Sequence, residues 1–249
     1  MRDVAGLILA GGRGSRMHSE KSKVLHRVAD RAILDWLLDA CQLAGMEQVV
    51  VVVNPASDDI RQHLSHDSHA LDIHLAVQNE PRGTGDAVRS ALDKLNTLGS
   101  RYVMIILGDL PNIQAGTLKK MMAKRDLQSM RCLTVVRDDP SAYGRIIRND
   151  EDKIVRIVEF KDCTPEEVGI HEVNVGIYCV PLEYLNSAIP RLTNNNAAGE
   201  FYLTDIVEMA TADGILVTPI VAADQGEVMG VNTRDELELV EAWRKKRNI

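Results

Sequence analysis

Uninterrupted apolar runs constrain the fold of this chain more than any other feature of its sequence. Residues Val49–Val53 and Val103–Leu107 contain no polar side chain. A strand with one face in water alternates apolar and polar residues, whereas a strand in a parallel sheet is covered by helices on both faces and is apolar throughout. The runs therefore predict a parallel sheet packed between two layers of helices.

Predicted strands alternate with amphipathic helices through the first half of the chain. The strands are Gly6–Leu9, Gln48–Asn54, Ile73–Gln78, Tyr102–Gly108 and Leu133–Arg137, and the helices are Ile33–Ala44, Asp58–Leu64, Gly85–Leu95 and Thr117–Arg125. This alternation favours the α/β class, with a Rossmann-like, doubly wound and mostly parallel sheet.

The pattern changes after Asp138. Residues Gly144–Asn149 and Lys153–Phe160 alternate as in a β-hairpin with its turn near Asn149 and Asp150, which predicts a small lid on the main sheet. The remaining predicted elements are the strands Glu172–Val180 and Ile215–Val221 and the helices Glu183–Leu192, Leu203–Ala212 and Thr233–Lys246. No repeat or linker interrupts this order, so we expect residues 1–249 to form a single domain.

Charge and composition narrow the range of partners. The 249-residue chain carries a formal net charge of -7, which disfavours binding to nucleic acid or to an anionic membrane, because those surfaces need clustered cations. The apolar stretch Val4–Ala10 is too short for a signal peptide or a membrane span, and the four cysteines show no ligand-like spacing. We therefore expect a cytoplasmic protein with a small-molecule partner.

A glycine-rich segment directly follows the first predicted strand. Gly11 and Gly12 open it, and Arg16 and Lys23 follow. Glycines let backbone N–H groups close on phosphate oxygens, and two cations can neutralise a triphosphate. The segment fits neither the P-loop pattern nor the dinucleotide pattern GxGxxG, because Met17 stands where the latter needs a small residue. A nucleotide-phosphate site is predicted, with a tight turn and a solvated basic flank as the alternative.

Motifs along nearly the whole chain carry a resemblance to a known family. In chain order they are LAGGRGSRM at 9–17, SKVL at 22–25, GTGDA at 83–87, LGD at 107–109, YGR at 143–145, VEFKD at 158–162, EVNVGIY at 172–178, TNNNAAGEFYLTD at 193–205 and GVNTR at 230–234. This ordered set resembles the bacterial N-acetylglucosamine-1-phosphate uridylyltransferases. The resemblance implies a fold of the nucleotide-diphospho-sugar transferase type and an enzyme that makes UDP-N-acetylglucosamine for peptidoglycan and cell-wall synthesis. It implies a nucleotide-binding half (1–138), a sugar-binding half (139–232) and a C-terminal helix (233–249).

Asp109 and Asn232 are the predicted metal ligands. Asp109 ends an apolar strand, at the position where open α/β sheets place the ligand crevice. Its carboxylate and the amide oxygen of Asn232 are hard ligands that suit Mg²⁺, with water and phosphate oxygens completing an octahedron. Asp109 could instead form a turn before Pro111, and Asn232 could start the last helix. The resemblance favours the metal role for both.

Gln78 is the predicted reader of the base. It ends a strand, and its amide can donate and accept, which suits the O4 and N3–H edge of uracil. Gly83 and Thr84 would bring backbone groups to the same base, although a surface glutamine before a tight turn fits the pattern too. The resemblance implies the same contacts with uridine. It also implies nucleotide contacts at Leu9, Ala10, Gly11 and Gly12, phosphate contacts from the catalytic Arg16 and Lys23, and sugar contacts at Gly144, Glu159, Asn174 and Thr204.

The implied reaction is a direct displacement, in which a phosphate oxygen of the sugar 1-phosphate attacks the α-phosphorus of UTP and pyrophosphate departs. A phosphate monoester is largely dianionic near neutral pH, so neither a protein nucleophile nor a general base is required. Alignment and charge stabilisation fall to Mg²⁺, Arg16 and Lys23. The first alternative is a uridylyl- or thymidylyltransferase for another sugar 1-phosphate, and the second is a non-catalytic sensor of nucleotide sugars.

The chain departs from the family pattern in three places. It has Gly11 where the family commonly has alanine, Ser22 where a proline precedes the lysine, and Leu107 where a tyrosine precedes the glycine. The last two bear on the placement of Lys23 and on the floor of the sugar site. Many members continue into a left-handed β-helix with acetyltransferase activity, and the absence of a hexapeptide repeat predicts that this activity is missing here. The family's trimer relies largely on that part, which leaves a homo-oligomer as an open alternative.

Overall fold

The apolar runs form the centre of a large sheet. A computed structural model describes residues 3–12, 21–66 and 68–247 of the chain. Within these residues the strands are β1 (Val4–Leu9), β2 (Arg27–Val28), β3 (Arg31–Ala32), β4 (Gln48–Val53), β5 (Asp72–Val77), β6 (Tyr102–Leu107), β7 (Ser129–Val136), β8 (Arg145–Arg148), β9 (Ile154–Val158), β10 (Glu172–Pro181) and β11 (Leu216–Val221). The helices in the same ranges are α1 (Ile33–Ala44), α2 (Asp58–Ser65), α3 (Thr84–Thr97), α4 (Ala115–Met122), α5 (Pro165–Val168), α6 (Leu182–Ala188), α7 (Asp205–Ala212) and α8 (Arg234–Arg247), with short 3-10 helices at Lys23–Leu25, Phe160–Asp162 and Ile189–Arg191.

The main sheet has nine strands in the described ranges. Its order is β11-β7-β10-β6-β1-β4-β5, and the hairpin β8–β9 joins it through β10. Strands β6, β1, β4 and β5 run parallel, as do β7 and β11, while β10 lies antiparallel between β6 and β7. The predicted doubly wound α/β sheet with a mostly parallel central part is confirmed. The predicted hairpin is also present, and it extends the sheet where Val173 pairs with Arg145.

The two faces of the sheet pack against different helices. Along β4, Val49, Val51 and Val53 belong to a core that includes the buried face of α1, whereas Val50 and Val52 belong to a second core that includes α3. Successive side chains of a strand point to opposite faces, so a strand buries every residue only when helices cover both faces. The uninterrupted valine run is therefore explained by its place between two cores.

Two predicted helices end earlier than their patterns suggest. Helix α6 ends at Ala188 and passes into a 3-10 helix that contains Pro190, because proline cannot donate the hydrogen bond that would continue the α-helix. Helix α4 ends at Met122, and Lys124 then takes a left-handed backbone conformation with φ of 47°.

In the described part of the chain, no helix has the length and apolar character needed to span a membrane.

Strand β7 begins at Ser129 rather than at the predicted Leu133. Its first residues alternate half-buried Ser129 and Arg131 with buried Met130 and Cys132, and they pair in parallel with β11. This part of the strand lies beside β11, where one face is less covered, so its polar residues conceal the strand from an analysis based on apolar runs.

Candidate active site

A cleft lies at the carboxyl ends of β1 and β6, the edge at which open α/β sheets bind ligands. The described residues that line it are Leu9, Ala10, Gly11, Gly12, Lys23, Val24, Gln78, Pro81, Gly83, Thr84, Ala87, Leu107, Gly108, Asp109 and Glu200. They include every residue predicted to bind the nucleotide, together with Lys23 and Asp109. Arg16, the other predicted catalytic cation, lies outside the described residues.

Lys23, Asp109 and Asn232 converge in this cleft. The Lys23 ammonium donates to Asp109 Oδ2 over 2.6 Å and to Asn232 Oδ1 over 2.8 Å. The side chains of Lys23 and Asp109 are only 15% and 21% exposed, so their interaction is partly shielded from water and salt. The two predicted metal ligands therefore share one cation-binding point, and the predicted catalytic lysine occupies it.

Backbone contacts hold the two predicted metal ligands together. The Val231 N–H donates to the Asp109 carbonyl over 2.9 Å. The N–H groups of Asn232 and Thr233 donate to the Glu236 carboxylate over 2.5 and 3.0 Å, while the Glu236 N–H donates to the Thr233 hydroxyl over 3.2 Å. This reciprocal capping defines the start of α8. It also fixes the backbone from which the Asn232 side chain extends.

A clamp between Ser22 and Asp59 supports the segment that carries Lys23. The Ser22 N–H donates to Asp59 Oδ2, and the Ser22 hydroxyl donates to Asp59 Oδ1, each over 2.7 Å. Burial pushes the pKa of Asp59 upward, but the hydrogen bonds from Ser22, together with those from the backbone N–H groups of Ile60 and Asp59, outweigh it and hold the pKa below its usual value. A proline in place of Ser22 would have neither donor. The serine that departs from the family pattern is therefore held by two hydrogen bonds that a proline could not make.

The oxygen donors suit a divalent cation such as Mg²⁺. Asp109 supplies a carboxylate and Asn232 a neutral amide oxygen, and both already point at one cation, the Lys23 ammonium. Within the described ranges, no cluster of three or more His, Cys, Asp or Glu side chains forms a metal cage. A two-ligand site agrees with Mg²⁺ chemistry, because Mg²⁺ is commonly held by few protein oxygens and completes its shell with water and phosphate.

The buried Gln78 side chain presents only one end of its amide to the cleft. Its nitrogen donates to the Gly83 carbonyl over 3.1 Å and to Asp86 Oδ2 over 3.0 Å. Its Oε1 faces Gly11, where an added Cβ would lie 3.2 Å from that oxygen. An amide nitrogen has two hydrogens, and both are used here. In this arrangement the amide oxygen is the group that a base can reach, and the role of Gln78 in reading uracil stays a prediction.

Gly83 lies where no other residue fits well. Its φ is 114°, and a Cβ at this position would come within 2.6 Å of the Phe201 carbonyl oxygen. The loop is fastened to the same residue, since the Phe201 N–H donates to the Arg82 carbonyl and the Gly85 N–H donates to the Phe201 carbonyl, each over 2.8 Å. The predicted base-binding loop is thus packed directly against a later segment of the chain.

The predicted sugar residues form a second group. The Thr204 hydroxyl donates to Glu159 Oε1 over 3.0 Å, and a Cβ added to Gly144 would lie 3.5 Å from Glu159 Oε2. The Asn174 N–H donates to the Gly144 carbonyl over 2.9 Å. Burial raises the pKa of the Glu159 carboxyl, and the nearby acid Asp205 raises it further. These four predicted residues are therefore brought together around one half-buried carboxyl group.

Asn174 is held by its own strand. Its Oδ1 accepts from the Gly176 N–H over 3.0 Å and from the Tyr178 hydroxyl over 2.9 Å. Gly176 has a φ of 82°, and a Cβ there would lie 2.4 Å from Leu107 Cδ1 in the wall of the cleft. The bend at Gly176 thus packs the strand of the sugar group closely against the end of β6.

A hydrogen bond links the base-binding loop to the sugar group. The Leu203 N–H donates to the Thr84 hydroxyl over 3.1 Å, and Leu203 immediately precedes Thr204. Glu200, in the same segment, lines the cleft. The two predicted groups of residues are therefore neighbours and can contact two parts of one nucleotide sugar.

Three residues in or beside the cleft were missed by the sequence analysis: Asp59, Asp86 and Glu200. Asp86 lies within the GTGDA motif, so its place directly after the base-binding loop was an available signal. Asp59 gave no signal, because it lies 37 positions from Ser22 in sequence. Glu200 lies within another quoted motif, but the sequence does not show that its loop folds onto the cleft.

A protein-family model and known proteins match this chain. The family model, described as the MobA-like NTP transferase domain, matches residues 6–196. The bifunctional protein GlmU of Trichlorobacter lovleyi is 44% identical over 235 residues, which cover 94% of this chain and 50% of that protein. GlmU of Geobacter metallireducens is 43% identical over 246 residues, covering 98% of this chain and 50% of that protein. The chain thus spans about half the length of these curated relatives.

A solved structure shares the fold. The crystal structure of a UDP-glucose pyrophosphorylase complexed with UDP-glucose superposes with a TM-score of 0.77 and covers 98% of this chain and 99% of that one. The sequence identity is 16%, so the likeness shows the architecture alone. It agrees with the fold type that the motifs imply.

Proposed function

The chain belongs to the MobA-like NTP transferase family, and on that premise we propose that it transfers the uridylyl group of UTP to N-acetylglucosamine 1-phosphate, giving UDP-N-acetylglucosamine and pyrophosphate. One observation carries the proposal. Lys23, Asp109 and Asn232 converge in the cleft that also contains the acceptor oxygen of Gln78. The ordered motifs and the relatives named GlmU support the choice of substrates.

The chemistry asks the cleft to align two phosphates and to neutralise charge. The attacking phosphate oxygen is already anionic near neutral pH, and the nucleotide supplies the leaving pyrophosphate. Lys23 and Arg16 are the proposed partners of the triphosphate, where they offset the charge that develops on the leaving group. The glycine backbone at Gly11 and Gly12 can approach the phosphates closely because it has no side chains.

Asp109 and Asn232 are proposed to hold Mg²⁺. Bound there, the metal would act as a Lewis acid on phosphate oxygens and as a template for their alignment. Lys23 donates to Asp109 Oδ2 and Asn232 Oδ1, so we propose that it moves off these oxygens to reach the phosphates and leaves them for the metal. The lysine ammonium is carried on a flexible four-carbon stem, which permits such a movement.

Recognition of the sugar is assigned to the Glu159 group. The Glu159 carboxylate can accept from sugar hydroxyls, while the amide of Asn174 suits an acetamide or hydroxyl partner. Gly144 leaves room for a close approach, and Thr204 keeps the carboxyl oriented.

We assign residues 1–138 to nucleotide binding, 139–232 to sugar binding and 233–249 to the C-terminal helix of one domain. The proposed compartment is the cytoplasm, which four unpaired cysteines favour.

A substrate grid tests the proposal. Pyrophosphate release would be measured with Mg²⁺ for UTP, CTP, dTTP, ATP and GTP against the 1-phosphates of N-acetylglucosamine, glucosamine, glucose and N-acetylmuramic acid. We expect one dominant signal, for UTP with N-acetylglucosamine 1-phosphate. K23A should be nearly silent, while K119A, at an exposed position on α4, should match the wild type. A dominant signal elsewhere would change the substrate, and silence of the wild type throughout the grid would reject the proposal.

A further inference from the structure

The orientation of the Gln78 amide is set by two acceptors at its nitrogen end. One is the Gly83 carbonyl at 3.1 Å and the other is Asp86 Oδ2 at 3.0 Å. The reversed amide would place Gln78 Oε1 against a carbonyl and a carboxylate, three acceptors with no hydrogen among them. Gln78 is only 6% exposed, so this arrangement is strongly unfavourable, because a buried acceptor without a donor costs free energy. Gln78 therefore shows the cleft an acceptor and never a donor.

Asp86 is paired with two arginines. Its side chain is 7% exposed, and its Oδ1 lies 3.0 Å from Arg82 Nη2 and 3.6 Å from Arg89 Nη1. Both guanidinium groups lie over the Phe201 ring, at 5.7 and 4.5 Å from its centroid. A buried carboxylate is stable only when paired in this way. The Asp86 carboxylate thus has one oxygen for the arginines and one for Gln78.

We propose that Asp86 is a specificity-determining residue, which selects nucleotides carrying a base N3–H by holding the Gln78 amide with its oxygen toward the cleft. Uracil and thymine have a hydrogen on N3 that Gln78 Oε1 can accept, whereas N3 of cytosine is itself an acceptor. Asp86 does not line the cleft, so it acts as a positioning residue through Gln78. The inference rests on the proposed function only in assuming that the cleft binds a pyrimidine nucleotide.

A purely structural role would make a different prediction. Asp86 lies in the first turn of α3, where a carboxylate stabilises a helix through its dipole. If Asp86 did only this, its loss would weaken the binding of UTP and CTP equally. If it orients Gln78, its loss leaves only the Gly83 carbonyl to hold the amide. The amide then reverses more readily, and a reversed amide donates to N3 of cytosine. The ratio of the two affinities separates the two roles.

The test measures dissociation constants for UTP and CTP, together with turnover, in the full chain. Asp86→Asn keeps the shape of the side chain but adds an N–H₂ group that can pair with the reversed amide. We expect the preference for UTP over CTP to fall by roughly tenfold or more, mainly through tighter CTP binding. A site whose fixed hydrogen-bond acceptor matches one base discriminates strongly against the other base, and it loses this discrimination when the acceptor can be exchanged for a donor. The matched control Asp93→Asn makes the same substitution at an exposed position of α3 and should leave the preference unchanged.

Two further comparisons keep the result interpretable. If Asp86→Asn fails to fold, the double variant Asp86→Asn with Arg82→Gln removes the carboxylate together with one of its cations, and the same loss of preference is expected. Equal weakening of UTP and CTP binding in either variant would overturn the proposal. Binding is read without catalysis, so wild-type protein that prefers UTP but shows no turnover would reject the proposed reaction and leave the role of Asp86 intact. Wild-type protein that binds neither nucleotide would overturn both.

Discussion

Removal of the Asp59 carboxylate should displace Lys23 and lower activity, although Lys23 itself is not substituted. Asp59 accepts two hydrogen bonds of 2.7 Å from Ser22, the residue before Lys23. Hydrogen bonds to a charged group contribute about 1.5–3 kcal/mol each, and the low end applies because Asp59 is half-buried. Asp59→Ala therefore removes roughly 3 kcal/mol of local support. A displacement of about 1 Å in a catalytic group can cost ~100-fold in rate, so we expect kcat/KM to fall roughly 30- to 100-fold.

The assay is steady-state pyrophosphate release, arranged as a double-mutant cycle. Ser22→Ala keeps the backbone donor and loses only the hydroxyl, so its loss of kcat/KM should be smaller, about tenfold. In a Lys23→Ala background, Asp59→Ala should have little further effect, because it acts through Lys23. The reasoning is refuted if Asp59→Ala retains wild-type activity, or if it lowers the activity of Lys23→Ala by the same factor as that of the wild type.

Three further predictions concern the metal ligands, the sugar group and the base-binding loop. Asp109→Asn should leave the thermal unfolding curve nearly unchanged but lower kcat by roughly 100- to 1000-fold at every Mg²⁺ concentration, and activity near that of the wild type would reject Asp109 as a ligand. Burial raises the pKa of Glu159 above its unfolded value, so its ionised form costs stability as the pH rises through that range. At alkaline pH, Glu159→Gln should therefore unfold at a higher temperature than the wild type. At a pH below the unfolded pKa, the two proteins should unfold at the same temperature. An equal rise in the unfolding temperature at both pH values would exclude ionisation of Glu159 as the cause. Gly83→Ala should cost about 1–3 kcal/mol, because its φ is 114° and its Cβ would meet the Phe201 carbonyl; Gly116→Ala, whose Cβ meets no described atom within 4 Å, should show no such loss in the same melt.

The fold could be predicted because its signals are local and repeated. The run Val49–Val53 needs two covered faces, and the structure places the five valines alternately in two cores. The order of the strands could not be predicted from these runs. Strand β10 enters the sheet antiparallel between β6 and β7, although it is far from both in sequence, and nothing in an apolar pattern specifies the neighbours of a strand.

The candidate site was predictable where one residue faces the cleft from a strand end, as Asp109 and Gln78 do. It was not predictable where two residues meet across the fold. The Asp59 support for Ser22 and the Asp86 hold on Gln78 are hydrogen bonds between side chains whose distance depends on tertiary packing. Sequence reasoning therefore predicted residues that line the cleft, but not Asp59 and Asp86, which hold Ser22 and Gln78.

The central claim is that an oxygen of the sugar 1-phosphate attacks UTP in this cleft. The most direct test supplies UTP, Mg²⁺ and N-acetylglucosamine 1-phosphate labelled with oxygen-18 in its phosphate. The oxygen-18 content of both products is then measured by mass spectrometry. The account predicts UDP-N-acetylglucosamine that retains all of the label and pyrophosphate that contains none. Label in the pyrophosphate, or no UDP-sugar at all, would contradict it.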